Sequence, residues 1–129
     1  MLPGQALIAQ GDPFQESINN WPGQPGEYAN FSVTVPPDRT LAVRDASIRV
    51  QVPTGQAVHA NLWANGPPGL TVGTLYFVVS LQGTFGSSDV FTATSNTLLW
   101  MASGGFNVVR NSTSGSMTVE VSLRGFLLP

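Results

Sequence analysis

The sequence predicts an all-β chain: an antiparallel two-sheet β-sandwich of the jelly-roll kind, with about eight strands and an extended N-terminal arm. Three observations carry this expectation. Apolar residues recur with period two through most of residues 31–128, whereas the helical spacing i, i+3, i+4, i+7 never persists for three turns. Turn-forming clusters such as Pro36-Pro37-Asp38, Pro53-Thr54-Gly55 and Asn65-Gly66-Pro67-Pro68-Gly69 cut the pattern into short segments. Val, Thr and Phe suit a pleated surface, and the chain contains no lysine. With 129 residues it forms one domain, divided into an arm over residues 1–27 and a sandwich over 28–129.

In the arm, residues 6–9 read as one short strand. Residues 11–26 follow as a Gln-, Asn-, Gly- and Pro-rich loop that pins Phe14 or Trp21 against the body. Phe31, Val33 and Val35 then alternate with Ser32 and Thr34 until Pro36-Pro37 ends the strand. Leu41 and Val43 share one parity, and Ala46, Ile48, Val50 and Val52 have the other. That flip predicts a bulge, or a crossing between sheets, near Arg44-Asp45. Two Val-x-Val-Pro phrases, at 33–36 and 50–53, mark equivalent strand ends. Val58, Ala60 and Leu62 alternate with His59, Asn61 and Trp63. Residues 71–81 read as one longer strand with Leu75, Phe77, Val79 and Leu81 inward, followed by a loop over 83–89. Shorter strands are expected at 90–93, 97–101 and 106–110. After a turn at 111–115, a last strand over 117–123 points Met117, Val119, Val121 and Leu123 inward. Gly125 interrupts it before Phe126-Leu127-Leu128.

Seven acids and five arginines make the chain only 9% charged, against roughly 25% for an average globular protein. So few charges exclude a basic nucleic-acid groove and a polybasic membrane patch, and no apolar run is long enough for membrane insertion as a helix. No cysteine is present, so disulfides and thiolate metal sites are excluded. The opening residues lack the basic start and apolar stretch of a signal peptide, as expected of a cytoplasmic or particle protein, or of a mature chain.

The phrases Phe31-Ser32-Val33-Thr34-Val35-Pro36 and Val50-Gln51-Val52-Pro53-Thr54-Gly55-Gln56 resemble those of a group of small, usually exported bacterial proteins. Residues 91–95, 110–115 and 119–128 match the same group in order. The ending Arg124-Gly125-Phe126-Leu127-Leu128 is similar to the closing strand of trimeric jelly rolls of the complement-C1q and tumour-necrosis-factor type. These resemblances imply a β-sandwich that is extracellular and oligomeric; a place on a particle surface is the other localisation expected. They imply no catalytic residue.

Chemistry-bearing constellations are sparse. His59 is the single histidine, too few nitrogen ligands for zinc or iron, so no metal and no cofactor is expected. The acids are scattered, mostly in turns, and Asp38-Arg39 and Arg44-Asp45 read as locally neutralised pairs. Residues 86–89 offer loop oxygens for calcium but lack the Asp-x-Asp spacing. The sequons at Asn30 and Asn111 are assigned no role. A non-enzymatic protein is therefore expected, with no catalytic residues.

Two functions remain. A surface of Ser, Thr, Gln, Asn and Gly suits burial against copies of itself, since little charge must be desolvated. The first expectation is thus a self-assembling subunit of a trimer, shell or fibre. Its arm, through Leu7, Ile8, Phe14 and Trp21, would add a strand to a neighbour. The alternative is a carbohydrate-binding jelly-roll lectin or module, with Trp63 stacking on a glycan and Asn61 and His59 beside it.

Overall fold

The computed structural model of the chain describes residues 11–66, 73–96 and 98–128. Ten strands are present among them: β1 (Asp12–Asn19), β2 (Tyr28–Val33), β3 (Thr40–Pro53), β4 (Val58–Asn65), β5 (Gly73–Tyr76), β6 (Ser80–Phe85), β7 (Ser88–Ser95), β8 (Leu99–Met101), β9 (Ser103–Arg110) and β10 (Thr118–Leu128). All pairings are antiparallel. One sheet has the order β1-β10-β3-β7-β6, with β8 also paired to β3, and the other has the order β2-β9-β4-β5.

The connectivity is that of a jelly roll. β1 pairs with β10, β2 with β9, β3 with β7 and β8, and β4 with β5, so the chain closes on itself as one long wrapped hairpin. Inward residues of both sheets meet in one core: Ile48, Val50, Val119 and Val121 from the larger sheet, and Leu62, Phe106 and Val108 from the smaller. Each such side chain contributes roughly 1.5–3 kcal/mol on burial, which is why the period-two pattern overrides weak local preferences. Phe77 and Phe106 stack near the middle of the core, with ring centroids 6.2 Å apart.

The parity flip in β3 has its cause at the expected place. Arg124 lies opposite Asp45 and Gly125 opposite Val43, so Arg44 is an extra residue on the β3 side of the ladder. Beyond the bulge, residues 41–43 pair with β8, whereas residues 46–53 pair with β7.

Three segments depart from the sequence reading. Residues 12–19 are not a loop of an arm: they form β1, an edge strand paired with β10 along its whole length. Phe14 and Ile18, four residues apart and so on one face, pack against the core. The Gln- and Asn-rich context hides this spacing. The expected strand at residues 6–9 lies outside the described residues. The expected long strand over 71–81 is divided, since β5 belongs to the smaller sheet and β6 to the larger, with residues 77–79 crossing between them. Phe77 is buried and Val79 half-buried on the inner side, while Val78 points out; Leu81, expected inward, is 54% exposed, because it lies on edge strand β6 at the bulge between Leu81 and Gly83. The expected loop over 83–89 is a hairpin instead, with Gly86 at φ 64° in its turn.

The charged pairs are also repartnered. Arg39 does not serve Asp38. Its Nη2 donates to Asp12 at 2.9 Å and to the Leu127 carbonyl at 3.0 Å, and its Nε donates to the Leu128 carbonyl at 2.8 Å, tying the start of β1 to the end of β10. Asp45 accepts from Arg124 Nε at 3.0 Å across the bulge. Adjacency in sequence does not decide these pairs: Asp38 sits in the turn before β3 at φ 60°, and Arg44 is the extra residue of the bulge.

Candidate functional site

The outer face of the smaller sheet gathers the residues nominated from sequence. On β4, Ala60, Leu62 and Ala64 are buried in the core, which turns His59, Asn61 and Trp63 to the exterior. Register extends this outward set across four strands. Asn30, Asn107, Asn61 and Tyr76 form one row; Tyr28, Val109 and His59 form the row on one side of it, and Ser32, Gly105, Trp63 and Thr74 the row on the other. With strands about 4.8 Å apart, the row of asparagines and Tyr76 spans roughly 14 Å.

Contacts within the face are lateral and light. Asn107 Nδ2 donates to Asn61 Oδ1 at 3.3 Å, fixing one amide against the other and leaving each with unused hydrogen-bonding capacity. The His59 and Tyr76 rings lie 5.8 Å apart, tilted by 45°. Tyr28 and Tyr76 are each more than 60% exposed. Gly105, beside Trp63, has no side chain to rise over the sheet there, and a Cβ at that position would run into the Phe31 carbonyl. Among the described residues no Asp, Glu, Lys or Arg stands on this face. Its chemistry is stacking plus neutral hydrogen bonding.

The structure thus unites His59, Asn61 and Trp63 and adds Tyr28, Asn30, Tyr76 and Asn107, which sequence reasoning did not nominate. A signal for them exists: Asn is depleted in strands, yet Asn30, Asn61 and Asn107 all occupy strand interiors at outward parity. The expected interface residues fare differently. Phe14 packs on its own core, Trp21 is 80% exposed, and Leu7 and Ile8 lie outside the described residues.

The opposite face, on the larger sheet, holds a shallow hollow of about 490 Å³ lined by Ser17, Ser47, Arg49, Thr92, Glu120 and Ser122 among others. It contains no aromatic ring to stack on a ligand.

A third region is the flank where β5 and β6 lie. Strands β4, β5, β6 and β8 contain no Asp, Glu, Lys or Arg; β7 contributes only Asp89 and β9 only Arg110, both buried. Between Arg49 and Arg110 the chain has one charged residue, Asp89. The exposed charges sit instead on β1, β3, β10 and the turns near them. The uncharged flank displays Tyr76, Val78, Leu81 and Phe85, with Val78 86% exposed.

Asp89 is a structural anchor. It accepts from the Gly55 backbone N–H at 3.0 Å and from the Thr84 hydroxyl at 2.6 Å, joining the 53–55 turn to the β6–β7 hairpin. Among the described residues no cluster of three or more His, Cys, Asp or Glu side chains could hold a metal ion. The Gly55 amide first, and the Thr84 hydroxyl second, hold the Asp89 carboxyl below its ordinary value. A carboxyl depressed in the folded state stabilises it above the unfolded value near 4, and that contribution fades as pH falls through the folded value. The melting temperature of Asp89→Asn should therefore lie below that of the parent chain at pH 6, with the gap narrowing steadily toward pH 2. A gap that stays constant across this range would remove the carboxylate from the account.

No protein-family model, curated protein or solved structure matches this chain.

Proposed function

We propose that this protein is a non-enzymatic, self-assembling jelly-roll subunit, and that copies meet through the uncharged β5–β6 flank. The observation that carries the reading is the segregation of charge: one side of the sandwich holds the exposed acids and arginines, while the other exposes Tyr76, Val78, Leu81 and Phe85 with no ionised neighbour on its strands. A contact made there desolvates no formal charge and repels no copy of itself. Soluble monomers ordinarily guard such edges with charge. β1, at the other edge of the same sheet, carries Asp12, Pro13 and Glu16, whereas β6 carries none of these.

The bulge between Leu81 and Gly83 interrupts the ladder of β6, so its edge is a poor template for adding a continuous strand. Packing of side chains from the flank is favoured over strand exchange. Residues 12–19 are committed to their own sheet, so Phe14 does not serve the expected contact with a neighbour. The resemblance of the closing strand to trimeric jelly rolls, and of residues 31–128 to exported proteins, agrees with an assembling role outside the cell or on a particle surface.

The test is the mass in solution. Sedimentation equilibrium of the native chain across a wide concentration range is expected to give a multiple of 13.6 kDa. The double variant Val78→Glu/Leu81→Glu is expected to give 13.6 kDa itself. Both positions are more than half exposed in the protomer, so the substitutions leave its fold intact and act on the contact alone. A native chain that stays at the protomer mass throughout, or a double variant that assembles as the parent does, overturns the reading.

A further inference from the structure

We infer that the outer face of the β2-β9-β4-β5 sheet is a binding site for an extended neutral glycan. The face meets the assembly flank at Tyr76 on edge strand β5, while Tyr28, Trp63 and the asparagines lie away from that flank. The occupant is argued from the chemistry of the face. Tyr28, Trp63 and Tyr76 offer aromatic rings at three separate points of one sheet surface, and the C–H face of a sugar ring packs on such rings. Between them, Asn30, Asn61 and Asn107 present amides that both donate and accept, matching hydroxyl groups that do the same. Among the described residues no guanidinium or ammonium on the face offers a partner to an anionic sugar, phosphate or nucleic acid.

Shape sets the length of the ligand. Tyr28 lies on edge strand β2 and Tyr76 on edge strand β5, at opposite ends of a sheet face that is open rather than enclosed. A span of roughly 14 Å across four strands exceeds a single pyranose ring, so the face engages a chain of several sugars along its surface instead of a terminal unit in a pocket. The Asn107–Asn61 hydrogen bond holds the central amides in place before ligand arrives, which lowers the ordering cost of binding.

Affinity electrophoresis of the full chain in gels cast with mixed-linkage β-glucan, xylan, glucomannan or galactomannan tests this, together with pull-down on insoluble cellulose and chitin. At least one of these neutral polysaccharides is expected to retard or retain the protein. For that polysaccharide, Trp63→Ala and Tyr28→Ala should each weaken binding about tenfold, the size of one lost stacking contact. Tyr28 is exposed at a sheet edge, so its variant keeps the fold even if Trp63→Ala loosens β4. Arg49→Ala, on the opposite face, should bind as the parent does. Failure of all six polysaccharides to bind overturns the inference, as does binding that survives both aromatic substitutions. Retention by anionic polysaccharides alone, with alginate and heparin as the probes, also overturns it. The Val78→Glu/Leu81→Glu variant separates the two functions: per protomer it should keep its glycan affinity while losing assembly.

Discussion

Replacing Arg110 with alanine is expected to remove about 3–5 kcal/mol of folding stability, a large share of the roughly 5–15 kcal/mol that holds a domain of this size. Arg110 is 1% exposed at the end of β9. Its guanidinium is met by neutral oxygens: Nε donates to the Gly26 carbonyl at 2.9 Å, Nη1 to Gln56 Oε1 at 3.2 Å and the Ser114 carbonyl at 3.1 Å, and Nη2 to the carbonyls of Gln24, Pro25 and Gly115 at 3.4, 3.1 and 2.7 Å. All five N–H donors are therefore used. They gather the 24–26 segment, the 111–115 turn and Gln56 around one cation. Alanine would leave these acceptors facing a void at once. Arg110→Lys should recover only part of the loss, because three donors on one atom cannot reach positions fixed by a planar fork. A urea midpoint for each variant measures the effect. Hydrogen exchange of the Gln24 and Met117 amides, which bond to each other's carbonyls at 2.6 and 2.8 Å, should accelerate first, since that bridge closes beside the cation. An unchanged midpoint for Arg110→Ala would show that these carbonyls find equal partners elsewhere.

The second large effect is expected at Gly125. Alanine in place of glycine within a strand ordinarily gains about 0.5–1 kcal/mol by restricting the unfolded chain. Here the sign should reverse, with a loss of about 2–3 kcal/mol. A Cβ on Gly125 would run into the Ala42 carbonyl oxygen and stand 3.0 Å from the Val43 Cα, both of them backbone of β3 that cannot swing aside. The close approach exists because β10 meets the bulge of β3 at this point. Denaturant unfolding should show a lower midpoint with an unchanged slope, the mark of a strained native state rather than an altered unfolded one. A variant at least as stable as the parent would mean that the two strands can part at the bulge without penalty.

Both sites show what a linear pattern carries and what it leaves out. The flip of parity between Val43 and Ala46 is visible in the chain, and so is Gly125; that the two face each other across one ladder is not. Arg110 falls on the same parity as Phe106 and Val108, so its inward direction is legible. The oxygens that receive it come from residues 24–26, 56 and 114–115, which only the closed sandwich brings together. Likewise the outward direction of His59, Asn61 and Trp63 follows from alternation along β4. Tyr28, Asn107 and Tyr76 join them through the registers of β2, β9 and β5.

The misread segments have a common cause. Residues 12–19 contain two core-facing apolar residues among polar ones, and a half-buried edge strand needs no more than that. Leu75, Phe77 and Val79 keep one parity although the chain changes sheets beside them, because period two reports which way a side chain points and not which neighbour lies alongside; Leu81 continues the parity in sequence but lies on an edge strand, where the core no longer covers it. By itself, then, the sequence determined the all-β class, the breaks at 36–38 and 53–55, a change of parity in β3 near Arg44-Asp45 and the scarcity of charge, since each is a local consequence of side-chain chemistry and backbone sterics; the expected break at 65–69 lies mostly outside the described residues. Only the tertiary structure decided strand order, the burial of Asp89 and Arg110, and the separation of a charged side from a neutral one. Those depend on contacts between residues far apart in the chain, whose pairing is chosen by the packing of the whole core.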